Sequence, residues 1–267
     1  MNDALGSTDV DRSIAFARRH HKRLADTIID FRWGSAFLEE DVPLRYGSNF
    51  LWVDGSPDDV TAEELVLEAD EILGGAGFKH RIVAIDDPVL SRRLRSGFEA
   101  AGWSLTELVT MVLPDPANAT RDLRPGVHAR EAEYSQTRNL LELLQHTYDP
   151  PRSPETVRTL VDYPAKLAAA VGARFFVAES DGVLAAICDL YIDGSEAQIE
   201  SVNTLPEYRN RGLGTAVMHE AIAAAVAEGV TWIHLYAEAN DWPRQWYEKL
   251  GFSVVGSYNH FHLYPER

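Results

Sequence analysis

Hydrophobic residues recur along this chain with two periods, and the switches between them set the expected elements. After a polar start, Ile14, Ala15, Ala17, Leu24 and Ala25 mark one face of a helix over 11–27. Strand-like runs follow at 35–39 and 49–54. Asp59 and Thr61 precede a helix at 61–74 that stops at Gly74-Gly75, and residues 79–85 alternate as a strand. Pro88 opens a helix to residue 101, Gly102 ends it, and 103–113 is strand-like. Pro114-Asp115-Pro116-Ala117-Asn118 then reads as the start of a linker.

The second half has a cleaner rhythm. A strand at 127–130 leads to helices at 133–147 and 154–170, the latter with a break or kink at Pro164. Strands at 174–179, 183–192 and 196–204 are joined by hairpin turns at Asp181-Gly182 and Asp193-Gly194. A glycine-rich loop opens a helix at 214–227. A strand at 231–237, a short helix at 242–250 and two strands at 252–256 and 259–264 complete the chain. Helix–strand alternation with hairpins in the middle implies an α/β fold with a mixed sheet covered on both faces.

The two halves repeat one another. Phe98-Glu99-Ala100-Ala101-Gly102-Trp103 aligns with Tyr247-Glu248-Lys249-Leu250-Gly251-Phe252. A helix stop of glycine and aromatic is common alone. The matching order of elements around it points to an ancient duplication.

Composition narrows the function classes. The chain has 267 residues, 45% of them hydrophobic, enough for one large core or two small ones. The net charge of −16 is shared by both halves, and neither is basic. A nucleic-acid partner is therefore not expected. No apolar run approaches the length of a membrane span, so no membrane partner is expected either. The single cysteine, Cys188, lies in an apolar strand pattern, and no secretory signal is evident. The expected compartment is the cytoplasm. The histidines show no metal spacing, so no metal is expected.

The run Arg209-Asn210-Arg211-Gly212-Leu213-Gly214-Thr215 carries the chemistry. It links a strand to a helix, so consecutive N–H groups meet the positive end of a helix dipole and offer a seat for a diphosphate. A dinucleotide fold would require a third glycine and a preceding βαβ unit, and a P-loop would require Gly-Lys-Ser/Thr. Neither is present.

With Pro206-Glu207-Tyr208 ahead of it, this run resembles the acyl-CoA motif of the GNAT superfamily of N-acetyltransferases. Asn240, followed by Tyr247-Glu248-Lys249-Leu250-Gly251-Phe252, resembles the family's second signature. The resemblance spans about residues 122–267. It implies a tandem protein of two GNAT-like domains, each a mixed, mostly antiparallel sheet flanked by helices. A degenerate first copy would occupy 1–115, a linker 116–121 and a catalytic domain 122–267.

What the resemblance implies for the site is specific. Arg209, Asn210, Arg211, Gly212, Leu213, Gly214 and Thr215 would hold the diphosphate of acetyl-CoA. Val202, Asn203 and Thr204, on a strand splayed from its neighbour, would pair with the pantetheine amides. A backbone N–H near Val202 would polarise the thioester carbonyl. Tyr247 would be the general acid and Asn240 would bond the CoA arm. Glu200, on the strand face of Val202 and Thr204, is the candidate base, with His234, Glu238 or a water chain as alternatives. Some family members carry a glutamate where this chain has Leu235. His260, His262 and Tyr258 read as an exposed polar edge or as acceptor contacts.

The first half lacks both features. Its loop, Val53-Asp54-Gly55-Ser56-Pro57-Asp58-Asp59, is acidic, and Phe98 stands where the second half has Tyr247. The expected activity is acetyl transfer from acetyl-CoA to a small primary amine, by direct attack in a ternary complex and from a single working site. A homodimer is compatible with this reading. The competing class is a non-catalytic acyl-CoA-binding module.

Overall fold

The computed structural model describes residues 3–119, 123–147 and 151–265, so residues 120–122 at the expected linker and domain start lie outside the described residues. The chain divides into two compact units. The first comprises Met1–Thr110, Ala237–Arg244 and Val254–Arg267, the second Met111–Tyr236 and Gln245–Ser253.

The first unit begins with helix α1 (Asp3–Leu24), followed by β1 (Thr27–Phe31), β2 (Gly34–Leu38) and β3 (Phe50–Val53). Then come α2 (Ala62–Ala69), which widens into a π turn at Asp70–Gly74, β4 (Arg81–Ile85), α3 (Pro88–Ala100) and β5 (Ser104–Leu113), along which the chain passes into the second unit. β1–β2 and β2–β3 are antiparallel, whereas β3 and β4 are parallel. The alternation in β3 is decisive: Leu51 and Val53 enter a core with Leu65, Leu73, Phe98 and Phe261, while Phe50 and Trp52 face a second cluster beside Ala17 of α1. The helix starts follow the sequence signals. Thr61 and Glu64 form a reciprocal capping box on α2, and Asp87 caps α3 ahead of Pro88. Such caps stabilise a helix by about 1 kcal/mol each.

The second unit runs β6 (Ala129–Ala132), α4 (Tyr134–Gln145), α5 (Pro154–Val171), β7 (Arg174–Ser180), β8 (Val183–Asp193), β9 (Glu196–Thr204) and α6 (Leu213–Ala227). After α6 come β10 (Trp232–Glu238), α7 (Trp242–Lys249) and β11 (Ser253–Leu263). The sheet order β10-β9-β8-β7-β6 is antiparallel except for the parallel pair β9–β10. At the β7–β8 turn both Asp181 and Gly182 have positive φ, as a tight hairpin requires. α6 packs on this sheet with Ala216, Val217, Met218, Ala221, Ile222 and Ala225 buried, the alanines allowing close approach.

Four expectations are corrected. α1 starts at Asp3, not near residue 11, and ends at Leu24, and the next residues form β1, whose exposed Ile28 and Ile29 resemble a helix continuation in sequence. Pro164 does not interrupt α5, which runs unbroken from Pro154 to Val171. Residues 252–264 form one long strand, not two, because Gly256 does not turn the chain but leaves room for Val10 of α1. β11 then pairs with β4 in the first unit, Asn259 opposite Ile85 through Leu263 opposite Arg81.

That strand also carries Tyr258, His260 and His262, expected as an exposed polar edge or as acceptor contacts. Tyr258 and His260 stack into the aromatic cluster, 5.8 Å from Trp52 and 6.5 Å from Phe50 respectively. His260 Nε2 is buried without a hydrogen-bond partner. Burial, then the charge of His262, lowers its pKa to about 4. Its folded value lies below the unfolded one of about 6.5, so its contribution is full above pH 6.5 and is lost as pH falls toward 4. Buried Asp86, which accepts from Trp52 Nε1 at 2.6 Å, has the opposite sign. Its pKa rises to about 6, so its contribution is present below the usual carboxylate range and is lost as pH rises through 6. We expect His260→Phe to flatten the fall in melting temperature between pH 6.5 and 4.5. Parallel pH profiles of variant and native protein in calorimetry would refute this assignment.

Candidate active site

The site grows from a failure of strand pairing. β9 and β10 are in parallel register at only three positions: Glu196–Trp232, Ala197–Ile233 and Gln198–His234. On its other side β9 stays with β8, but the register shifts between Ile187 and Asp189, and Ser201 takes a left-handed φ of 54°. One extra residue on β9 is thereby absorbed as a bulge, which bends the strand. His234, fully buried, sits where the strands part, with Nδ1 3.0 Å from the Ala197 carbonyl. A carbonyl can only accept, so this nitrogen carries the proton and is occupied. Through Nδ1, His234 clasps β9 at the point where the strands part. Leu235 is buried.

Beyond the bulge, exposure alternates: Glu200, Val202 and Thr204 are half-buried, Ser201 and Asn203 exposed. The strand runs through a 3-10 turn, Pro206–Tyr208, into the loop. Asn210 (φ 61°) and Gly212 (φ 89°) are both left-handed, so the loop turns its amides inward. Gly212 is the N-cap of α6 and brings no side-chain cap. The first intrahelical bond is Ala216 N–H to Gly212 O, so the amides ahead of it have no partner within the helix. At Gly214 a Cβ would lie 3.3 Å from Thr204 Oγ1 and 3.5 Å from the Trp246 ring. Glycine there lets the strand end, the helix start and α7 meet.

Each arginine of the loop is committed differently. Arg211 lies over the Tyr208 ring and donates to Asp181 Oδ2 at 3.0 Å and to the Glu207 carbonyl at 3.1 Å. Its side chain braces the loop against the β7–β8 hairpin. Arg209 Nε reaches the Thr204 carbonyl at 3.3 Å.

Tyr247 is buried on α7, against Trp246 and Phe252, and its carbonyl accepts from Leu250 and Phe252 N–H. Its phenol pKa is raised well above the ordinary value by burial first, then by the negative potential of Glu200 and of Cys188. The phenol is therefore protonated at neutral pH and electrostatically coupled to Glu200. Glu200 accepts from Gln198 Nε2 at 2.5 Å. Asn240 is exposed in the turn after β10, within the segment Ala237–Arg244 that groups with the first unit. Glu238 belongs to the same segment.

The sequence model of the Acetyltransferase (GNAT) family matches residues 137–252. Over those residues the chain is similar to GNAT acetyltransferases. The chain is 31% identical over 85 residues to the Bacillus subtilis (strain 168) protein named "Putative ribosomal protein bS18-alanine N-acetyltransferase", a match covering 32% of this chain. The chain spans about 56% of that relative's length. Two solved structures share the fold more widely. One is a GCN5-related N-acetyltransferase from Kribbella flavida, 17% identical, with TM-score 0.62 over 100% of this chain and 96% of that one. The other is a tandem GNAT protein from the clavulanic acid biosynthesis pathway, 15% identical, with TM-score 0.55 over 88% and 80%.

Two residues beside the loop are not among those expected from sequence. Trp246 beside Tyr247 packs on Gly214; an aromatic next to the expected acid was its only signal. Arg124 lies over Gly212, Cδ 3.2 Å from where a Cβ would stand, and donates to the Asn210 carbonyl at 2.7 Å. Nothing local in sequence marks a residue so distant.

The coupling of Tyr247 to Glu200 is directly testable. Removing the carboxylate charge in Glu200→Gln should lower the Tyr247 pKa, read as the ultraviolet titration difference between that variant and its Tyr247→Phe partner. An unchanged pKa would separate the two groups.

Proposed function

We propose that the second unit transfers an acetyl group from acetyl-CoA to a primary amine by direct attack. The observation that carries this is the parting of β9 from β10 after Gln198, beside an uncapped helix start and a buried, protonated Tyr247. The freed backbone of Val202 to Thr204 takes the pantetheine amides as one strand takes another. The amides from Arg211 to Thr215 take the diphosphate. A backbone N–H near Val202 polarises the thioester carbonyl.

Glu200 receives the proton of the attacking amine, the nitrogen bonds to the carbonyl carbon, and the carbon–sulfur bond breaks. Tyr247 gives its phenolic proton to the departing sulfur. Its raised pKa makes it a weak donor to a thiolate in water. Burial raises the pKa of a thiol as it raises that of the phenol, which favours the transfer in that setting. The acceptor is a primary amine, the class of group that the matched relative's name contains.

The first unit, we propose, does neither step. It repeats the closing turn of the second closely. Trp103 N–H bonds to Phe98 O and Phe252 N–H to Tyr247 O, and Gly102 and Gly251 both have positive φ. But β3 stays in register with β4 to its last residue, Val53 opposite Ile85, so no backbone is freed. Its loop carbonyls at Pro57 and Asp58 are already taken by Arg93, at 2.6 and 2.9 Å.

Two measurements test the assignment. Tyr247→Phe should lower amine-dependent thiol release by ~10²–10⁴-fold with acetyl-CoA affinity nearly unchanged. Undiminished turnover removes Tyr247 from the chemistry. Gly212→Glu places a side chain on a left-handed residue and a carboxylate at the anion seat, and should abolish acetyl-CoA binding in the folded protein. Retained affinity would sink the diphosphate assignment.

A further inference from the structure

The loop at α6 has a charge deficit. Its own Arg211 is neutralised by Asp181 and held by the Glu207 carbonyl, facing the β7–β8 hairpin. Arg209 spends its Nε on the Thr204 carbonyl at the end of β9 and, like Arg124, keeps its terminal nitrogens for an anion. A diphosphate seated on the amides would bring negative charge that Arg211 is not free to answer.

Arg124 is placed to answer it. Its aliphatic stem lies along Gly212, with Cδ, Cγ and Cβ 3.2, 3.3 and 3.6 Å from the position of a Cβ there. Its guanidinium is exposed and, among the described residues, makes one hydrogen bond and no ion pair: Nη1 donates to the Asn210 carbonyl. An arginine with one donor on a neutral carbonyl keeps the rest of its planar fork available, and that fork matches phosphate oxygens. Gly212 has a second purpose in this arrangement. With no Cβ, it lets the Arg124 stem cross the helix start, so the group that opens the loop also admits the arginine.

We propose that Arg124 is the diphosphate clamp of the acetyl-CoA site, supplied from the start of the second unit, 86 residues before the loop residue it touches. The inference rests on the acetyl-CoA reading of the loop. It assigns to Arg124 the charge that the sequence motif credits to Arg211.

The test is equilibrium binding of acetyl-CoA and of 3′-dephospho-CoA to the full chain, for the native protein, Arg124→Gln and Arg124→Lys, at low and at moderate salt. Arg124→Gln should weaken both ligands by about tenfold and reduce the salt dependence of binding. Arg124→Lys, which keeps the charge but loses the fork, should fall between. Native-like affinity in Arg124→Gln overturns the clamp while leaving the acetyl-CoA reading intact. A loss confined to acetyl-CoA overturns the diphosphate assignment in favour of the 3′-phosphate. Failure of the native protein to bind either ligand overturns the acetyl-CoA reading and the clamp with it.

Discussion

Backbone hydrogen bonding at one strand pair governs this structure's second unit. A central strand normally satisfies its N–H and C=O groups on both sides, and leaving them unmet in a buried setting costs free energy. β9 meets that demand along β8 but abandons β10 after three residues. Two local devices make the departure tolerable. The bulge at Ser201 bends β9 away, and the His234 imidazole covers the Ala197 carbonyl at the fork. A peptide-like arm that carries its own amides is the natural partner for what remains. The loop, the uncapped start of α6 and Tyr247 matter because they surround that opening.

Much of this was legible because it is local. The Arg209–Thr215 run, the Asp181-Gly182 turn and the caps at Thr61 and Asp87 depend on residues within a few positions of one another. The harder features depend on distant partners. The amphipathic pattern that ends α1 runs on through Ile28 and Ile29, whose exposure on β1 no helical or strand period foretells. Gly256 reads as a break, yet it serves a close approach by Val10. The fork is expected only through the family resemblance: β9 has an ordinary strand composition, and its register against two neighbours shows where it leaves one of them.

The arginines show the same limit on the scale of single charges. Arg209 and Arg211 stand in the motif and invite assignment to the anion. Charge, however, acts through distance and competition, not sequence position. Asp181 lies on a hairpin turn fixed by its own φ and holds Arg211 at 3.0 Å. Arg124, which the motif does not contain, has donors to spare beside the loop.

Comparison of the two units separates what the fold needs from what the chemistry needs. Both keep the glycine that turns the chain after the short helix, and both keep the backbone bonds that close this turn onto an aromatic residue. Packing alone sustains those features, since Phe98 fills its core as completely as Tyr247 does. The first unit lacks the fork, the open loop and the phenol together. Each would be useless without the others: a freed strand edge with no anchored ligand is an unsatisfied cost, and a buried phenol with no leaving group is better replaced by phenylalanine. With no ligand arm to pair with, an opening there would have nothing to offset its hydrogen-bond cost, and a β3 paired with β4 to its final residue is the arrangement physics then favours.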